Sequence, residues 1–205
     1  WQDGINLLQE TKLTDMTSEE LEKISFLFFK LEDCDKIQDL KKLTQTKQGK
    51  IEDYLKECRL VIAKKYKSDP KKFDLYEKNI IAFIADSAED EKKYIAVVDY
   101  LTELKNRKND EKLERILLAK KIDAYHPKVI KFTYEASMKH MLNAQWEKSL
   151  QFSKNAAFKW QQNVKEPILY ELLKMNLLAT LAIKKKHFSK EELKGFINLD
   201  VNSKL

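Results

Sequence analysis

The sequence predicts an all-α chain built from antiparallel helix hairpins, and three observations carry that prediction. Only 3 Gly and 3 Pro punctuate 205 residues. Apolar residues recur at helical spacing in nearly every stretch: Ile51, Tyr54, Leu55, Cys58, Val61 and Ile62 share one face, and Phe73, Tyr76, Ile80, Phe83 and Ile84 repeat the pattern. No stretch alternates long enough to read as a strand, and no glycine-rich loop precedes a helix.

The elements follow in order. Trp1–Glu10 predicts a short first helix. Thr17-Ser18-Glu19-Glu20 is a capping box opening a helix that carries Ile24, Leu27, Phe28 and Leu31. A helix from about Asp35 to Thr46 carries Ile37, Leu40 and Leu43, and Gly49 marks the turn after it. Lys50–Tyr66 ends in a lysine cluster that suits the negative end of the helix dipole. Asp69-Pro70 reads as an N-cap with proline at the first helical position, and that helix runs to about Ala85. Ser87 is expected to cap a helix with the stripe Tyr94, Val97, Val98, Leu101 and Leu104. Asn109 or Asp110 caps another, carrying Leu113, Ile116, Leu117 and Ile122. After His126-Pro127 come a helix to about Asn143, one from Gln145 to Gln161, and a third opened by Glu166-Pro167. A second capping box, Ser189-Lys190-Glu191-Glu192, leads into a short last helix that stops near Gly195. The expected total is about ten helices, and links this short force neighbours to run antiparallel.

Composition narrows the function. Hydrophobic residues make up 43% and charged residues 35%, which suits helices that each keep one face in water. A single domain over 1–205 accommodates this, with an acidic half over 1–100 (net −3) and a basic half over 101–205 (net +9). The basic half is expected to attract an acidic partner, an anionic surface or nucleic acid. Of its possible contacts, Lys184, Lys185 and Lys186, with Lys120 and Lys121 upstream, form the candidate partner-binding set; Lys128, Lys131, Lys190 and Lys194 extend it. Arginine occurs only at 59, 107 and 115. Arginine supplies the bidentate fork that reads bases, so the imbalance argues against sequence-specific nucleic-acid recognition.

No chemistry-bearing motif is present. His126, His140 and His187 are scattered, with no His-Glu-x-x-His and no Glu-x-x-His pairs, so neither a zinc site nor a di-metal bundle site is expected. His126 is expected to bond the backbone at its turn, and His140 and His187 to be interfacial or solvent-facing. Gly-x-Ser-x-Gly and the P-loop are absent. The sequence therefore predicts no enzyme activity, no cofactor and no metal. Two cysteines are too few for a disulfide scaffold: Cys58 reads as a small core residue, and Cys34, between Asp33 and Asp35, as an unactivated thiol. A hairpin would bring them near each other, but pairing needs specific geometry, and a disulfide is not the expectation. No apolar run reaches the ~18 residues of a membrane span. Ile168–Ile183 comes nearest, and it is expected to be buried on more than one side, covered by the tail Phe196-Ile197-Asn198-Leu199 or by another chain.

In Thr133–Ala156, small residues fall at Ser137, Ala144, Ser149 and Ala156, with Trp146 just inside the second helix. The segment resembles a tetratricopeptide-type helical repeat, in which small residues let paired helices approach and the aromatic fills the gap between pairs. The match is best over 133–156 and looser elsewhere. Ala144 stands where the family favours Gly, and the prolines do not keep the ~34-residue period of a strict array. The resemblance implies an α-solenoid of stacked hairpins and a surface that docks a partner peptide or helix. The expected function is thus a non-catalytic interaction scaffold or adaptor whose partner is a protein or an acidic peptide. The alternatives are nonspecific RNA or DNA binding by the Lys-rich half, and a helical portion of a longer multidomain protein. Trp146 and Trp160 share roughly one face of the helix expected there, which fits packing better than stacking on bases. The chain begins at Trp1 rather than Met. Localisation stays open, with the cytoplasm ahead of a processed secreted or periplasmic product, and the sequence fixes no oligomeric state.

Overall fold

The computed structural model describes residues 16–43, 49–161 and 167–185. The described residues are helical or in turns, with no strand among them. Two compact units divide the chain, Trp1–Ala96 and Val97–Leu205.

In the first unit, α1 (Ser18–Lys30), α2 (Cys34–Leu43) and α3 (Gly49–Tyr66) pack on one another, and α4 (Phe73–Asp86) packs on α3. The capping box forms as the sequence predicts: Glu20 N–H donates to Thr17 Oγ1 at 3.3 Å, and Thr17 N–H donates to Glu20 Oε2 at 2.8 Å. Leu21, Ile24 and Phe28 of α1 meet Ile37 and Leu40 of α2 and Ile51 and Leu55 of α3 in one core. Each such side chain contributes about 1.5–3 kcal/mol on full burial. Arg59, largely buried on α3, ties the bundle laterally: its guanidinium donates to Gln38 Oε1 on α2 at 2.7 Å and to Asp86 at the end of α4.

Cys34 and Cys58 are joined in a disulfide, with Cα atoms 5.8 Å apart, both buried in that core. This corrects the sequence expectation of two unpaired thiols. The first residue of α2 is pressed against the middle of α3 by the apolar stripes on either side, and that meets the geometric demand.

The second unit contains most of α5 (Glu91–Asn106), then α6 (Asp110–Leu117), α7 (Ile130–Leu142), α8 (Trp146–Ser153), α9 (Ala156–Gln161) and α10 (Pro167–Lys185). The helices α7 and α8 form a tight pair, α10 packs on both, α9 packs on α10, and α6 touches α7. Lys139 on α7 holds α6 through Asp110 at 2.9 Å and Glu114 at 3.1 Å.

Several boundaries differ from the expectation. Gly49 is the first residue of α3, not a turn. Pro70–Lys72 forms a separate 3-10 turn, capped by Asp69 accepting from Lys71 N–H, before α4 begins. Ser87 ends α4, its hydroxyl donating back to Phe83 O at 2.7 Å, while the Asp90 carboxylate accepts from Lys93 N–H at the start of α5. The helix expected over Gln145–Gln161 is broken at Lys154 and Asn155. The cause lies elsewhere in the chain. Tyr125 Oη donates to Phe152 O at 2.6 Å and accepts from Asn155 N–H at 3.1 Å, so a foreign hydroxyl occupies the helix ladder at the break.

On α10, Leu169, Leu172, Met175, Ala179 and Ala182 are buried, whereas Tyr170 and Leu177 stand exposed. The helix therefore buries one stripe against its unit, while the tail expected to cover its other side lies outside the described residues. The predicted first helix Trp1–Glu10, the Ser189 capping box with its last helix, the tail Phe196–Leu199, and His187 lie outside the described residues. No described helix is long and apolar enough to cross a membrane.

Candidate functional site

Among the described residues, three helix ends turn in left-handed backbone without glycine. Glu32, Lys108 and Ala144 adopt left-handed backbone at φ 57°, 55° and 56°. Each sits just past a helix end with two backward backbone hydrogen bonds; at Ala144 these run from Ala144 N–H to Met141 O and from Gln145 N–H to His140 O. Ala144 is thus an exposed turn residue between α7 and α8.

The other residues of the repeat-like segment lie inside. Ser137, Ser149 and Ala156 are fully buried. Ser137 Oγ lies 3.0 Å from Ser149 Oγ and 3.2 Å from Ser149 O, so the two helices meet through small side chains that also satisfy one another. Trp146 packs half-buried against the cluster of Met141, Met175 and Ala179. Trp160 belongs to α9, a different helix from that of Trp146, so the shared face expected of the two does not exist. His126 accepts from Lys128 N–H at 3.3 Å, the backbone role expected of it.

His140 is not solvent-facing. It is buried, its Nδ1 lies 2.6 Å from Gln145 Oε1, and its ring stacks on Phe152 at 5.8 Å. Its Nε2 lies 3.0 Å from Glu114 Oε2, off the line of a hydrogen bond. The interfacial half of the expectation describes it: the imidazole joins α6, α7 and α8. Among the described residues, no group of three or more His, Cys, Asp or Glu is placed to hold a metal ion.

The feature best suited to recognition is a cavity of about 320 Å³ beside the break between α8 and α9. Its floor is apolar, with Leu117 at the end of α6, Ile122 and Tyr125 in the following turns, and Phe152 on α8, all buried. Its rim is basic: Lys120 comes from the turn after α6, Lys154 from the α8–α9 turn and Lys159 from α9. Lys159 is neutralised by Asp123 at 2.6 Å, and Lys120 and Lys154 are exposed cations with no ion-pair partner among the described residues. Burial pushes the Tyr125 hydroxyl up to about 12 from an ordinary value of 10.0, with the Asn155 N–H working in the opposite direction. The phenol is therefore neutral, a fixed post under the cavity.

Of the candidate lysines, Lys120 lines this cavity, Lys121 is exposed in the same turn, and Lys184 is exposed on α10 away from the lining. Lys185 is the last residue of α10 and nothing is described of its side chain; Lys186 lies outside the described residues. Sequence reasoning missed Lys154, Lys159 and Tyr125. They belong to segments that only the helix break brings together, and no local pattern marks them. Set against known proteins, the chain matches no family model, no curated protein and no solved structure.

Proposed function

We propose that this chain is a non-catalytic interaction scaffold whose helix hairpins stack in the manner of a tetratricopeptide-like solenoid and dock a protein partner. The observation that carries this reading is the cavity with an apolar floor and, at its rim, two lysines that have no ion-pair partner among the described residues. The stacking half is supported by the α7–α8 pair, closed through Ser137 and Ser149, and by α10, which packs on both members as the first helix of a following pair would. The Cys34–Cys58 disulfide supports a setting outside the reducing cytosol, because such bonds persist where thiols are oxidised.

A second reading, nonspecific RNA or DNA binding, is favoured by the exposed lysines Lys120, Lys131, Lys148, Lys154 and Lys184. Two measurements on the full chain separate the readings: selection from a displayed random-peptide library, and fluorescence anisotropy with labelled single-stranded RNA at low and physiological salt. A docking scaffold enriches a consistent class of peptides and ignores RNA at physiological salt. Failure to enrich any class, together with RNA binding that falls steeply with salt, overturns it in favour of the second reading.

A further inference from the structure

We infer that the cavity between the 117–125 turns and the α8–α9 break takes an extended acidic peptide carrying an aliphatic side chain, and that Lys120 and Lys154 are the residues that select it. This rests on the docking reading above and names the chemistry of the partner.

Size decides the form of the partner. A cavity of about 320 Å³ holds one or two side chains. It is too small for a helix, which with side chains is about 10–12 Å across. The docked segment is therefore extended, with one side chain entering the cavity and its neighbours left at the rim.

Lining decides the chemistry. Ile122 and Phe152 at the floor offer only apolar surface, and the Tyr125 hydroxyl is committed on both sides, donating to Phe152 O and accepting from Asn155 N–H. Thr133, Gln151 and Asn155 add polar atoms to the lining, and the occupant that covers the Leu117, Ile122 and Phe152 surface is aliphatic. At the rim, Asp123, the one acidic residue among the described lining residues, is already bound to Lys159. The two remaining ammonium groups sit on long flexible stems that reach carboxylates on either flank of the entering residue.

The same details turn away nucleic acid. Among the described lining residues, the aromatic rings, Tyr125 and Phe152, are both buried and offer no open face for a base to stack on. Of the arginines of this unit, Arg107 just past the end of α5 lies near Glu103 and Arg115 on α6 bonds Glu111, and neither lines the cavity.

The test uses peptides enriched from the displayed library, resynthesised with a fluorescent label and titrated by anisotropy against three full-length proteins. These are the wild type, the double variant Lys120→Glu/Lys154→Glu, and a charge-matched control, Lys131→Glu/Lys148→Glu, at exposed positions outside the cavity. The inference expects enriched peptides rich in Asp or Glu around Leu, Ile or Val. It expects affinity at least about tenfold weaker in the cavity variant and within about twofold of wild type in the control. Equal weakening in both variants would show that the overall field attracts the peptide, and would overturn the assigned site while leaving the docking reading intact. Enrichment of non-acidic peptides would overturn the partner chemistry with the docking reading again intact. Dimerisation of the wild type that the cavity variant abolishes would put a second copy of the chain in the cavity and overturn the inference. No enrichment at all fails the docking reading itself, and this inference with it.

Discussion

Single residues carry strain and burial that the chain's composition conceals. Ala144 holds a left-handed backbone at φ 56°, where a Cβ costs roughly 1–2 kcal/mol relative to the right-handed region. Replacing it with glycine relieves that cost and gives back part of it through the freer unfolded chain, so Ala144→Gly should stabilise the fold by about 1 kcal/mol in urea denaturation. A loss of stability would mean that the Ala144 methyl group makes contacts worth more than the strain. Tyr125 offers a pH-dependent case. Its hydroxyl titrates near 10 in the unfolded chain and about 12 when folded, so the folded state holds the proton more tightly. The stability tied to this group is complete below pH about 10 and is lost as pH rises from about 10 through about 12, at about 1.4 kcal/mol per pH unit. Tyr125→Phe should cost about 1–2 kcal/mol at neutral pH, since it leaves Phe152 O unpaired. It should also show a shallower loss than wild type between those pH values, measured by denaturation followed with circular dichroism.

At the scale of elements, the α7–α8 pair depends on small side chains at its crossing. Ser137 and Ser149 are fully buried and bonded to each other. Ser137→Leu would force the two helices apart and strand the Ser149 hydroxyl, which predicts a loss of about 1–3 kcal/mol or more in thermal and chemical denaturation. An unchanged midpoint would show that the pair has room to spare and would weaken the repeat-like reading. The Thr17 cap belongs here too: Thr17→Ala removes the acceptor for Glu20 N–H and should cost about 1 kcal/mol, read in the first unit. That capping box was legible in the sequence because all its partners lie within four residues. The break between α8 and α9 was not, because the hydroxyl that causes it arrives from Tyr125, outside the segment.

For the whole molecule, the disulfide is the largest single covalent constraint. It closes a loop with a sequence separation of 24, which by the chain-entropy argument stabilises the fold by about 3 kcal/mol. Reduction under native conditions, or Cys34→Ala/Cys58→Ala, should lower the denaturation midpoint by a corresponding amount, and peptide mapping without reductant should recover the two cysteines linked. Free thiols in folded protein from an oxidising compartment would contradict both the bond and the setting it supports. The charge division of the chain also acts at this scale. The lysine excess lies in the second unit, so the peptide docking proposed there should weaken with added salt, and the part that depends on Lys120 and Lys154 should be the part that salt removes.

Much of this protein was determined by the sequence alone. Helical periodicity and capping residues are local properties, so the all-helical class of the described residues and most of the inward stripes could be read residue by residue, although Leu31 and Val61, expected on such stripes, stand exposed. The candidate site was legible at Lys120, as part of a lysine excess, and at Leu117 and Ile122, as apolar positions of an expected helix. What brings Lys120 and Lys154 to one rim, joins Cys34 to Cys58 and buries His140 between three helices is contact between residues distant in the chain. Tertiary structure decided these features because they follow from how apolar stripes pack against one another, and the spacing of residues along one helix holds no record of which helix it will meet.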